Sequence, residues 1–165
     1  MSALPTYWID ANVLITAKDG PFRFSINPAF WAALDSQVNA KRIRAPQMVY
    51  EEIVKAGHED ELAKWVRVRR TSGMFVKASK EVQVKFQTIA DHVVQHYEGY
   101  HVAEFLSVAD PWLIAHAMEG HGTVVTFENR QPGARRVKIP NVCAALDVPF
   151  LNPYDMLQAL NIKFT

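Results

Sequence analysis

The chain has a single cysteine, Cys143, so it can form no intrachain disulfide and no thiolate metal cluster. It has no apolar stretch near the ~18 residues of a membrane-spanning helix. Its first residues, Met-Ser-Ala-Leu-Pro-Thr, lack the charged-then-apolar pattern of a secretory signal. The expectation is a cytoplasmic protein with no membrane association. Excess charge of one sign is missing too, with 18 Lys+Arg against 17 Asp+Glu. Any electrostatic footprint for nucleic acid must therefore be local. There is no GxGxxG and no Walker A motif, which leaves nucleotide-cofactor chemistry without support. Repeats, low-complexity tracts and linkers are absent as well. With 165 residues, 49% hydrophobic and 21% charged, the chain reads as one globular domain over residues 1–165.

What is present is an alternation of short apolar runs with helix-like segments. Strand patterns fall at Thr6–Ile9, Arg42–Ala45, Met74–Val76, Thr123–Thr126 and Phe150–Leu151. Helical spacing runs from Asn12 to Lys18 and from Pro28 onward, where Phe30, Trp31, Leu34 and Val38 share a face. Further helices are predicted at Met48–Lys55 (stopped by Gly57), Asp60–Arg70, Lys80–Tyr97, Asp110–Met118, Asn141–Leu146 and Asp155–Leu160. Arg130 to Lys138 reads as a basic loop. Strands alternating with helices argue for a parallel sheet covered on both faces.

Four acidic residues stand where such a fold binds ligands, outside the carboxyl ends of its strands or at helix starts. Asp10 closes the strand Tyr-Trp-Ile, and Asn12 follows two residues later. A helix cap explains Asp10 equally well. Glu52 lies beside Ile53, which pairs with Val49 on a buried helix face, whereas Glu51 points further toward solvent. Two exposed glutamates are the plain alternative. Asp110 stands before Pro111 as an N-cap. Glu128 follows Thr-Val-Val-Thr-Phe. Carboxylates gathered without cysteines suit a hard divalent cation held by oxygen.

Their order and flanks resemble the PIN-domain ribonucleases over nearly the whole chain. The match is strongest at Ile9-Asp10-Ala11-Asn12-Val13-Leu14, at Ala109-Asp110-Pro111-Trp112-Leu113-Ile114-Ala115 and at Val124-Val125-Thr126-Phe127-Glu128. Within that family the chain looks most like the VapC-like toxins of bacterial toxin–antitoxin pairs, in a subgroup with a C-terminal segment like Val137–Cys143 followed by Asn152–Leu157. The resemblance implies an α/β/α PIN-like fold with a five-stranded parallel sheet of order 3-2-1-4-5. It implies a Mg²⁺ or Mn²⁺ site of Asp10, Glu52 (Glu51 as fallback), Asp110 and Glu128, with Asn12 and Thr126 orienting the carboxylates. Glu128 departs from the more common aspartate. Further implications are metal-dependent RNA hydrolysis, a cognate antitoxin and a homodimer.

Arg130, Arg135, Arg136 and Lys138 are the candidates for RNA phosphate contacts, against the alternative of a solvated loop. Two other classes compete with the nuclease. One is a phosphatase with Asp10 as nucleophile, which would want a second Asp where Asn12 stands. The other is a binding module without activity. His92 and His96, one helical turn apart, lack the Glu that a zinc peptidase signature requires, because Val93 follows the first histidine. The four tryptophans read as core.

Overall fold

The computed structural model describes residues 4–55 and 60–164. Five strands form one parallel sheet: β1 (Tyr7–Ile9), β2 (Ile43–Pro46), β3 (Phe75–Val76), β4 (Thr123–Val125) and β5 (Phe150–Leu151). Their order is β3-β2-β1-β4-β5, as expected from the sequence. Tyr7 pairs with Ile43 on one side and Thr123 on the other, and Ile9 pairs with Val125. The chain builds outward from β1 in one direction, then returns to place β4 on its other side. That reversal opens a crevice at the carboxyl ends of β1 and β4.

Alternation along the strands sets up two apolar layers. Tyr7, Ile9 and Val125 face one way, against α1 (Ala11–Asp19), α2 (Pro28–Asn39), α3 (Gln47–Lys55), α4 (Glu61–Thr71) and α9 (Pro153–Ala159). Trp8 and Val124 face the other, against α5 (Lys80–His96), α6 (Gly99–Leu106), α7 (Asp110–Glu119) and α8 (Ile139–Ala145). The expected stripe of Phe30, Trp31, Leu34 and Val38 is buried. Trp8, Trp31 and Trp65 are core, and the half-buried Trp112 stacks on Phe86 with centroids 4.0 Å apart. Gly57, read from the sequence as a helix stop, lies outside the described residues.

Helix α6 is absent from the sequence reading. Its signal is short, with Val102, Phe105 and Leu106 spaced by three and one, and only Phe105 is fully buried. Asp110 also differs from expectation. The helix cap is Ala109, and Asp110 occupies the first turn without a side-chain capping bond. The pairing of acid and proline marks the helix start correctly, but the carboxylate is not used to close it.

Helix α7 carries Asp110 and is held against the sheet from two sides. Its His116 stacks on Trp8 at 4.6 Å, and burial pushes that imidazole down to about 4, so it is neutral and packs as an apolar ring. Helix α5 packs along its other side. Just before β4, Gly122 lets the strand come close to β1. A Cβ there would stand 2.6 Å from the Thr6 carbonyl oxygen and 2.9 Å from the Trp8 ring. Gly122→Ala is therefore expected to cost about 1–3 kcal/mol, as overpacking does. Urea denaturation of the variant measures this, and an unchanged midpoint would refute the close-approach argument.

Candidate functional site

Three of the four acids predicted from the sequence, Glu52, Asp110 and Glu128, line one cleft at the ends of β1 and β4, while Asp10 is buried and does not line it, yet lies near enough for the charges of Glu128 and Glu52 to act on it. Asp10 directly follows β1 and caps α1, with Oδ1 accepting from the Asn12 backbone N–H at 3.4 Å. Its Oδ2 accepts from Thr126 Oγ1 at 3.2 Å, and the residue is 4% exposed. Thr126, directly after β4, in turn accepts from the Glu128 backbone N–H at 3.1 Å. One hydroxyl thus couples the ends of both central strands.

Glu52 is half-buried on α3, and its Oε1 accepts from the Ala109 backbone N–H at 2.9 Å. That bond ties α3 to the start of α7, immediately before Asp110. The alternative of two exposed glutamates holds only for Glu51, which is exposed and accepts from Gln47 Nε2 at 3.3 Å. Glu128 Oε2 accepts from the Ile139 backbone N–H at 2.9 Å, at the start of α8. Among the described residues, nothing hydrogen bonds to the Asp110 carboxylate.

These groups feel one another. Burial raises Asp10 to about 6, and the charges of Glu128 and Glu52 add to that, against the opposing hydrogen bonds from Asn12 and Thr126. Asp110 is raised to about 8, first by burial and then by the charges of Asp10, Glu128 and Glu52. As the side chains lie, no three His, Cys, Asp or Glu groups among the described residues converge on one ion position. Glu52 and Glu128 have each turned one oxygen to a backbone N–H, leaving the other oxygen without a protein donor among the described residues. The set offers oxygen only, suited to a hard divalent cation.

The remaining sequence candidates divide. Asn12 is exposed and lines the cleft, but among the described residues its side chain bonds to no carboxylate; its contribution to Asp10 is the backbone N–H, in the first turn of α1. Arg136 and Lys138 line the same cleft of about 280 Å³, whereas Arg130 and Arg135 lie outside it. Arg136 Nη2 is paired with Glu104 Oε1 at 2.8 Å. Glu104, His101 and Phe105 form a wall of the cleft that was not anticipated, because α6 was not. His92 and His96 stack on each other at 4.3 Å and bind no further ligand group among the described residues. Of the other basic groups, Arg69 pairs with Asp35 at 2.8 Å and lies over Trp65, and Arg70 lies over Tyr50.

A family model described as "Domain of unknown function (DUF4411)" matches residues 7–164. The chain belongs to the DUF4411 family. Two solved structures share the fold of this DUF4411 protein. VapBC2 from Rickettsia felis, bound to a DNA fragment from its promoter, aligns over 89% of this chain and 98% of that chain, with 11% identity and a TM-score of 0.56. FitAcB from Neisseria gonorrhoeae aligns over 90% and 99%, with 19% identity and a TM-score of 0.54. At these identities the likeness is one of fold, and it bears out the PIN-like architecture. No curated protein matches the chain.

A raised aspartate binds protons more tightly folded than unfolded, where its value is ~3.9. Its charge costs folding nothing below that value and an increasing amount as pH rises through about 6 for Asp10 and about 8 for Asp110. Without divalent metal, the urea midpoint is expected to fall between about pH 4 and pH 8. Asp110→Asn should flatten the decline and raise the midpoint at the alkaline end. A midpoint that rises over this range in the wild type would contradict the crowded-carboxylate account.

Proposed function

We propose that this DUF4411 protein is a Mg²⁺- or Mn²⁺-dependent endoribonuclease, hydrolysing RNA phosphodiester bonds, and the toxin of a type II toxin–antitoxin pair. The observation that carries this is the meeting of Asp10, Glu52, Asp110 and Glu128 at the switch point of the sheet, with two aspartates raised by burial and mutual repulsion and, among the described residues, no ion pair made by any of the four. A site that crowds negative charge at a cost to folding fits a bound cation. Asp10 and Asp110 would hold the ion, with Glu52 and Glu128 reaching it directly or through water. The ion would supply charge neutralisation at the phosphoryl oxygens and acidify water for attack.

The protein's own groups have definable tasks. Thr126 donates to Asp10 Oδ2 and, with the Asn12 N–H on Oδ1, fixes the orientation of that carboxylate. The bond from Ala109 N–H to Glu52 sets the glutamate beside Asp110, where its second oxygen can accept a proton from the attacking water. Arg136 and Lys138 offer positive charge to the substrate's phosphates on the opposite wall. Arg136 is exposed and already paired with Glu104, so it can exchange that partner for phosphate. No covalent intermediate on the enzyme is needed. The PIN-like fold shared with VapBC2 and FitAcB, together with the VapC-like motifs, supports an antitoxin partner. A homodimer is part of the same proposal.

A second reading is a binding module without activity. Glu128 favours it, because that side chain ties the loop to Ile139 in place of facing the cleft with both oxygens.

Purified protein should cut a total RNA pool with Mg²⁺ or Mn²⁺ and not with chelator. Asp10→Asn and Asp110→Asn should abolish cutting with the fold intact by circular dichroism. Thr126→Val removes only the group that orients Asp10 and should cost about 10–100-fold in metal affinity or activity. Metal binding by calorimetry without cleavage of any RNA would favour the binding module.

A further inference from the structure

The surface does not close beside the acidic cleft. Two further depressions follow, of about 540 and 370 Å³. The cleft and the first depression share His101, and the two depressions share His96, Tyr97, Gly133 and Ala134. The three therefore run on as one groove, between the C-terminal end of α5 and the 130–138 segment. Positive charge follows it outward. Arg136 and Lys138 stand in the cleft, Arg135 in the middle and Arg130 at the far end. Among the described residues lining the two outer depressions, Glu98 is the one carboxylate.

The basic wall is built rather than loose. Gln131 N–H donates to Asn141 Oδ1 at 2.8 Å, and Asn141 Nδ2 returns a bond to the Gln131 carbonyl at 2.7 Å. The turn between them closes through Ala134 N–H on the Gln131 carbonyl, with Gly133 at φ +78°. The bond from Ile139 N–H to Glu128 pins the base of the segment. The opposite wall offers flat rings: the stacked His92 and His96 pair, and Tyr97. His101 stands where the groove meets the cleft. Cations along one wall and ring faces along the other are what single-stranded nucleic acid uses, through phosphate contacts and base stacking.

We infer that this groove carries single-stranded RNA away from the scissile phosphate, with Arg130 and Arg135 on the phosphates and His96 and Tyr97 against bases. This rests on the ribonuclease reading and adds to it a binding surface outside the cleft, one that engages a strand longer than the cleft alone could hold.

The test is fluorescence anisotropy with end-labelled single-stranded RNAs of about 4, 8 and 12 nucleotides, spanning common single-strand site sizes. Chelator prevents cutting, and the same preparation is assayed separately for cleavage with Mg²⁺ and Mn²⁺. Affinity should rise roughly tenfold or more from the shortest to the longest strand, and a duplex of equal length should bind more weakly. The Arg130→Ala/Arg135→Ala double variant should lose most of that gain. Its slope of log affinity against log salt should become shallower by about 1.4, at ~0.7 per phosphate contact on a single strand. Arg130→Lys/Arg135→Lys should restore the slope, which a folding defect would not do. His96→Ala should cost about fivefold on the longest strand, the lower end for a stacked base. If the wild type cuts RNA but shows no length gain, or the double variant keeps it, the groove is overturned and the nuclease stands. Equal or tighter binding of duplex overturns it as well. If the wild type neither binds nor cuts any RNA, both fall together.

Discussion

Like charges brought together at the edge of a sheet repel one another, and water that would screen them is largely excluded at Asp10. The rest of the site is arranged around that repulsion. Asp10 is fixed by the end of β1, by the Asn12 backbone and by the Thr126 hydroxyl. Asp110 is delivered by α7, which is clamped by the Trp8–His116 stack and by α5. Glu52 is held by a backbone N–H at the start of that same helix. The folding energy of two apolar layers keeps the carboxylates where isolated side chains would separate. Perturbed carboxylates of this kind cluster at functional sites, and the proposed cation would relieve their repulsion.

The two sides of the sheet contribute differently. The layer built from α1 to α4 and α9 contains an aromatic cluster in which Phe24 stacks on Trp31 and Phe22 on Phe30, and it supplies Glu52. The other layer supplies Asp110, the α6 wall and the basic segment, so it determines what can approach the acids. Glu104 and Arg136 meet across the cleft mouth at 2.8 Å, one from each of two elements that flank it. An acidic floor with a basic rim separates two tasks. The floor suits a cation, and the rim suits an anionic polymer. The same segment that carries the rim continues along the groove, held by Asn141 and Glu128.

Much of the fold was legible in the residues. Alternating strand and helix patterns, and the VapC-like motifs, were enough to anticipate the order β3-β2-β1-β4-β5. The Phe30, Trp31, Leu34 and Val38 stripe marked a core face because period 3.6 survives in the sequence whatever packs against it. Helix α6 was missed because one buried residue in eight leaves little periodic signal. The cap at Asp110 was misread by one residue, because Asp before Pro reports that a helix begins without reporting whether the carboxylate closes it.

By itself, the sequence determined which acids exist and which strand or helix end each occupies, since those follow from local periodicity and from motifs a few residues long. The sequence already preferred Glu52 to Glu51 for the crevice, and tertiary structure decided what holds it there, a backbone N–H 57 residues away at Ala109. It decided that Thr126 bonds to Asp10 across 116 residues, and that Asn12 contributes backbone and not side chain. It also divided the basic residues between cleft and groove. Distances between elements are set by how layers pack, and no local pattern encodes them.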